Sequence, residues 1–444
     1  VNVIMKKLFL FLFSLSMGLV SAQKKWSLLE AVTYATENNL NVLQSRINED
    51  LSANDLEYAG NQWLPTASGY FDNSLTIGSN HPMINKGYQQ YSNSLGLNSS
   101  ITIYNGGLLN LNKERASLLV ESSKYQTESV INDISLMVVN YYLNVMLSRE
   151  LLEIAEGNLS IMEQQLDRSQ KLFDAGSIAR ADLVQAEANV AQEKKNLADA
   201  KIEVERALFN LATLLQLPDY REFDVEIVNV PDDISLGLYD LEEVVQTAYA
   251  QQPAVKKAET DLEVATTDIE IAETGFKPTI TGTYNLGTNY AEYFNKGLET
   301  EAWLSQWHDN ITNVFGLSVN IPIFEKFNNK LNVQKAKISE SLAQNTMEQQ
   351  KQIIRENVQE AYFNANSSYQ AFEAAKESVR SSEISADFAQ RSFEAGKINI
   401  YDLNIAQNNL VTAQSQMAQA KYNFIFRMKV LDFYAGRPLT EGLE

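Results

Sequence analysis

Residues 172–187 read LFDAGSIARADLVQAE, and residues 392–407 read SFEAGKINIYDLNIAQ. Setting Gly176 against Gly396 gives an offset of 220, at which Phe173, Ala175, Ile178, Asp182, Leu183 and Ala186 also meet identical residues without a gap. A short Gly-containing turn is therefore built twice, half a chain apart. The match extends outward. SLLEAVTYATENNLNV from Ser27 parallels DLEEVVQTAYAQQPAV from Asp240 at offset 213, and Trp63-Leu64-Pro65-Thr66 parallels Phe276-Lys277-Pro278-Thr279 at the same offset. LGLNSSITIYNGGLLNLN from Leu95 then parallels FGLSVNIPIFEKFNNKLN from Phe315 at 220. Agreement in several segments at two offsets marks an internal duplication. The predicted organisation is a first repeat over residues 23–220, a linker over 221–235, a second repeat over 236–437 and a tail over 438–444.

Within each repeat the apolar period changes. Leu95, Leu97, Ile101 and Ile103 alternate with Gly and polar residues, as do Phe315, Leu317, Val319, Ile321 and Ile323. A period of two with β-branched residues predicts strands. Ala67-x-Gly69-x-Phe71 and Ile280-x-Gly282-x-Tyr284 supply their partners, so each repeat contributes one β-hairpin, at about 66–104 and about 279–324, closed by a long polar loop. Strands of roughly 10 to 12 residues cross a bilayer when tilted. The alternation suits either a sandwich or a membrane barrel; in the second case the nine apolar positions above face lipid and the Ser/Thr/Asn/Gly face is wet.

The remainder of each repeat is helical. Residues 108–172 and 328–392 hold no proline, and the helix they predict would measure about 95 Å at the standard rise. In the segments that follow, Leu183, Val190, Leu197, Val204 and Leu211 repeat every seven residues, as do Leu403, Leu410, Met417, Phe424 and Leu431. Ala186, Ala200 and Ala207, matched by Ala406, Ala413 and Ala420, form the second seam. A sustained heptad predicts left-handed supercoiling.

Composition narrows function. Lys6 and Lys7 precede an apolar run, and Val20-Ser21-Ala22 resembles a cleavage site, so residues 1–22 are predicted to be a secretory signal peptide. Removing them takes two lysines and no acid, moving the formal charge from −20 to −22. That argues against nucleic acid as a partner. The chain has no cysteine and two histidines, His81 and His308, and no phosphate loop, dinucleotide fingerprint or HExxH. The expectation is a non-enzyme without cofactor or metal. No later stretch is expected to span a bilayer as a helix. Four strands cannot close a barrel, so in lipid the chain must oligomerise; two, three or four copies are open on this ground.

Signal peptide, duplicated hairpin–long helix–turn–heptad helix, and the paired motifs AGSIARAD and AGKINIYD together resemble the TolC-type outer membrane efflux proteins, over nearly the whole mature chain. The resemblance implies a homotrimer with a twelve-stranded barrel in the outer membrane of a Gram-negative bacterium, continuous with a periplasmic α-helical coiled-coil barrel. It also implies docking to a periplasmic adaptor and, through it, to an inner-membrane RND or ABC transporter. The implied role is a passive exit duct for drugs, toxic compounds or polypeptides. A soluble, exported coiled-coil scaffold or adaptor is the alternative.

In that family the tip turns commonly read V-G-L/T-x-x-x-x-D. This chain keeps Gly176, Gly396, Asp182 and Asp402, with Ala175 and Ala395 in place of valine. The glycines suit helix C-caps and the aspartates suit N-caps, Asp182-x-x-Gln185 resembling a capping box. Ser177, Ile178, Lys397 and Ile398 are expected to be exposed and to dock the adaptor. Asp402, repeated by symmetry, is a candidate acidic gate ring. Ile405 and Ile398 stand where some relatives have a second acid and a base, so the gate departs from that pattern. Trp63, Phe276, Tyr104 and Phe324, at strand ends, are read as an interfacial girdle or as packing where strands pass into helices.

Overall fold

A computed structural model describes residues 25–80, 87–228, 237, 239–294 and 300–441. The expected signal peptide, His81 and most of the linker after residue 228 lie outside them. The chain divides into two compact units. The first holds residues 1–45, 127–255 and 351–444, and the second holds residues 46–126 and 256–350.

The first repeat runs β1 (Lys25–Trp26), α1 (Leu28–Asn38), α2 (Leu40–Asn61), β2 (Thr66–Gly78), β3 (Tyr88–Tyr104), α3 (Leu108–Asp174) and α4 (Arg180–Leu214). After β4 (Asp224–Val225), the second runs α5 (Leu241–Gln251), α6 (Pro253–Thr274), β5 (Thr279–Tyr293), α7 (Trp303–Asp309), β6 (Thr312–Asn320), α8 (Asn328–Glu394) and α9 (Ile400–Tyr434). The two long helices match at 67 residues each and their partners at 35 each.

Strands β2, β3, β5 and β6 form one antiparallel sheet in that order. The register sets Phe71 opposite Leu95, and Leu97 opposite Gly69 and Leu286, so one face collects the apolar side chains. The other collects Ser, Thr, Asn and Gly, with Tyr70 beside Gly96 and Gly287. Two expectations need correction. β6 stops at Asn320, so Ile321 and Ile323, though exposed, are not strand positions; Pro322 has no N–H to continue a ladder. The second hairpin is also closed by α7 as well as by loop.

The first unit has its core where α1, α3, α4 and α9 meet. Val138, Val139, Tyr142 and Met146 of α3 pack against Leu28 and Ala31 of α1 and Leu211 of α4. This stretch makes α3 apolar and long enough to cross a membrane by composition, contrary to expectation. Its buried residues belong to a protein core, the other setting that gives such a profile. The heptad stripes face inward: Leu183, Val190, Leu211, Leu403, Phe424 and Leu431 are buried, while Leu197, Val204, Leu410 and Met417 are half-buried.

The described part of the linker is tied to the first unit's core. β4 pairs parallel with β1. The Tyr142 hydroxyl donates to the Glu226 carbonyl at 2.8 Å, and Arg149 donates to the Val225 carbonyl at 2.9 Å and pairs with Asp224. Burial, reinforced by Glu226, pushes the Tyr142 hydroxyl far above its ordinary pKa. At the C-terminal end, Asp432 accepts from Lys429 at 3.1 Å and from the Tyr239 hydroxyl. Burial and then that bond push Tyr239 up to about 12.

The duplication extends to backbone angles. Gly106 and Gly107 have φ of 72° and 93°, and their counterparts at offset 220, Lys326 and Phe327, have φ of 53° and 65°. Gln216 and Gly436 form the same kind of pair, at 58° and 76°.

Candidate functional site: helix tips and sheet face

The two hairpin tips lie in the first unit and begin as the same helix ending. At the end of α3, the Gly176 N–H donates to the Phe173 carbonyl and the Ser177 N–H to the Leu172 carbonyl, both at 2.8 Å. At the end of α8, Gly396 bonds Phe393 at 3.0 Å and Lys397 bonds Ser392 at 2.9 Å. This pair of bonds is the Schellman ending, which needs a left-handed residue at its turn. Gly176 and Gly396 supply it with φ of 73° and 68°.

The next helices start one turn earlier than expected, which corrects the role of the aspartates. Asp182 and Asp402 are the third residues of α4 and α9, not their caps. The expected Asp182–Gln185 box does not form. Asp182 Oδ2 instead accepts from the N–H of Ala179, the actual cap residue, at 3.3 Å. In the second tip Asn399 is the cap, and its Oδ1 accepts the Asp402 N–H at 2.9 Å. One tip thus satisfies a helix-start donor from inside the helix and the other from outside. Asp402 is left exposed with its carboxylate unused by that cap.

Ser177 and Lys397 are exposed, as expected; Ile178 and Ile398 are half-buried, against expectation. Two contacts that the sequence did not single out tie the hairpins together. Arg168 of α3 pairs with Glu394 of α8 at 3.3 Å and lies over the Phe393 ring. Gln165 donates to Gln407 at 2.6 Å, both side chains buried. A hydrogen bond from Gln390, joined by Arg168, holds the Glu394 carboxyl below its ordinary range.

Alanine at Gly176 or Gly396 meets no atom within 4 Å, so only the left-handed φ opposes it. The expected cost is about 1 kcal/mol at each tip. Gly157, inside α3 and equally free of neighbours, should respond with the opposite sign, gaining roughly 0.5–1 kcal/mol as alanine. Hydrogen exchange of the last turn of α3 checks this pair: faster in Gly176→Ala, unchanged or slower in Gly157→Ala.

In the second unit the sheet carries the other candidate surface. All nine predicted positions, Leu95, Leu97, Ile101, Ile103, Phe315, Leu317, Val319, Ile321 and Ile323, are exposed in the single chain. Trp63, Tyr104, Phe276 and Phe324 are exposed as well. Across the register from Ile280 to Tyr290 the apolar face carries no Asp, Glu, Lys or Arg. Such a face is at home against hydrocarbon or another sheet, and an uncovered one is unusual in water. Strands β2 and β6 each have one edge without a partner in the sheet.

Comparison with known proteins bears on both surfaces. The family model for outer membrane efflux proteins matches residues 32–216 and 244–437. The chain is 23% identical over 172 residues to outer membrane protein TolC of Salmonella enteritidis, a match covering 38% of this chain and 35% of that protein. The chain thus spans about a third of the curated relative's length. Its fold superposes on a membrane protein from Pseudomonas aeruginosa with a TM-score of 0.75 at 18% identity, covering 94% and 91% of the two chains. The Campylobacter jejuni CmeC outer membrane channel gives 0.75 at 19% identity, covering 92% and 85%. With the family model matched over most of its length, the chain belongs to the outer membrane efflux protein family.

Proposed function

We propose that the chain is one third of a passive outer-membrane exit duct. Three copies bring their four-stranded sheets into a twelve-stranded barrel, and their helical hairpins into a periplasmic conduit continuous with it. The observation that carries this reading is the sheet: an uncharged apolar face of bilayer height, a small polar face behind it, and two open edges. Unpaired edges are not tolerated in hydrocarbon, and a barrel of eight strands is already filled by side chains. Three copies are the smallest number that leaves a lumen.

The tips are the docking end. Ser177 and Lys397 present the polar contacts to a periplasmic adaptor, with Ile178 and Ile398 shaping the turn beneath them, Gly176, Gly396 and Asp182 fixing its backbone, and Asp402 exposed beside them. Two tips per chain give a trimer six similar sites. Energy comes from an inner-membrane RND or ABC transporter coupled through the adaptor, and the cargo is small toxic molecules or polypeptides selected there.

Asp402 is exposed and repeated three times around the axis, where an acidic ring favours cations. Asp402→Ala is expected to raise single-channel conductance or abolish block by divalent cations in planar bilayers. Records identical to those of the parent would remove Asp402 from the gate while leaving the duct in place.

A further inference from the structure

Helix α7 occupies the place where β6 would continue. β6 begins at Thr312, opposite Gly287, so the last residues of β5 have no β6 partner. Side-chain amides take over that edge. Gln306 accepts the Ala291 N–H at 3.1 Å and donates to the Ala291 carbonyl at 3.1 Å, as a neighbouring strand would. Asn310 donates to the Asn289 carbonyl at 2.8 Å. Thr288 in turn donates to the Trp307 carbonyl at 2.7 Å. Water would satisfy an open edge unaided; closing it with protein groups is what a site without water requires.

The same helix carries two of the chain's four tryptophans. Trp303 and Trp307 lie with ring centroids 4.5 Å apart, and the Trp307 indole donates to Asn93 at 2.9 Å. Asn93 belongs to the apolar face, and it and Tyr290 beside it are buried, whereas Leu95 and Leu97 farther along β3 are exposed. Trp303 and Leu304 point outward, at 41% and 74% exposure.

Depth follows from the register. Ten residues separate Ile280 from Tyr290, about 33 Å along a strand and about 25 Å once tilted near 40°, the height of an outer-membrane apolar band. The first charge on that face comes one row further, at Glu292, whose carboxylate accepts from the Tyr290 hydroxyl at 2.8 Å. Hydrocarbon-compatible surface thus ends where the tryptophan pair sits, and indoles favour that boundary because one end is apolar and the other wet.

We propose that α7 is an interfacial lipid anchor: it closes the β5 edge and rests the Trp303–Trp307 pair against the outer boundary of the bilayer's hydrocarbon. This rests on the duct reading. The test uses the full assembled chain and its Trp303→Phe/Trp307→Phe variant in phosphatidylcholine vesicles. One lipid set carries bromine on the acyl chain near the headgroup, and the other near the terminal methyl. The emission difference between the two proteins reports the pair. The expected result is stronger quenching by the shallow bromines than by the deep ones, with little quenching by aqueous iodide. Iodide quenching without bromine quenching, in protein that migrates as a heat-modifiable assembly, overturns the anchor and leaves the duct standing. Failure of the parent protein to insert overturns both. Should the double variant not assemble, Trp303→Phe alone supplies the comparison, because Trp303 makes none of the sheet bonds above.

Discussion

Leu97→Arg is expected to prevent assembly in the membrane, whereas Asn98→Arg, one residue along the same strand, is expected to be tolerated. Leu97 stands on central strand β3 opposite Gly69 and Leu286, at 53% exposure. A cation on the lipid face near the bilayer midplane costs about 2–4 kcal/mol in an outer-membrane barrel, and the proposed trimer would carry it three times. Asn98 points to the opposite face, among Ser68 and Asn285, where in the proposed barrel a guanidinium would meet the wet lumen and tune selectivity instead. Outer-membrane fractionation and heat-modifiable gel migration read the outcome. Normal assembly of Leu97→Arg, or equal damage from Asn98→Arg, would falsify the assignment of faces and favour a soluble scaffold.

The second large effect is expected in the helical unit. Phe424 is fully buried in the α9 heptad stripe, with its ring 6.0 Å from that of Phe372 and 5.3 Å from that of Tyr369. Phe424→Ala removes a whole ring from a close-packed site, and such truncations cost about 3–5 kcal/mol. The temperature at which the assembled species dissociates should fall by several degrees or more, with secondary structure at low temperature retained. Phe424→Leu, which leaves a smaller void, should lie between the two. No change on truncation would mean that α8 and α9 are not packed through this pair.

Much of the architecture was legible because it depends on period. Alternation located β2, β3 and β5, the proline-free runs gave α3 and α8 within two residues at their ends, and the heptads gave the buried stripes of α4 and α9. What escaped detection depends on single contacts. Helix α7, WLSQWHD, is too short for any period to emerge and is held by Gln306 and Asn310 bonds to a strand edge. Strands β1 and β4 are two residues each and exist because they meet across the chain. The aspartates of the tips were misplaced by one turn because Asp stabilises both a helix cap and a first helical turn. Only the backbone geometry of Ala179 and Asn399 separates the two. Arg168 and Glu394 were hidden among many charges of similar helices, since nothing in either repeat alone indicates that they meet.

The left-handed pair after each β-hairpin makes the two copies unequal in what they tolerate. In the first copy, a Cβ at Gly106 would lie 2.7 Å from the Cβ of Lys277, whose ammonium donates to the Gly106 carbonyl. That glycine is entrenched: no side chain fits there until Lys277 moves. In the second copy Lys326 and Phe327 also lie in the left-handed region, a burden of about 1–2 kcal/mol per residue, and the Phe327 ring is engaged with that of Phe324. A side chain at this left-handed position is therefore accommodated in one half of the chain and blocked in the other. Lys326→Gly should be neutral or favourable, while the reciprocal change at Gly106 should not. The two copies thus differ in what they tolerate at one backbone position, and a contact between them sets the difference.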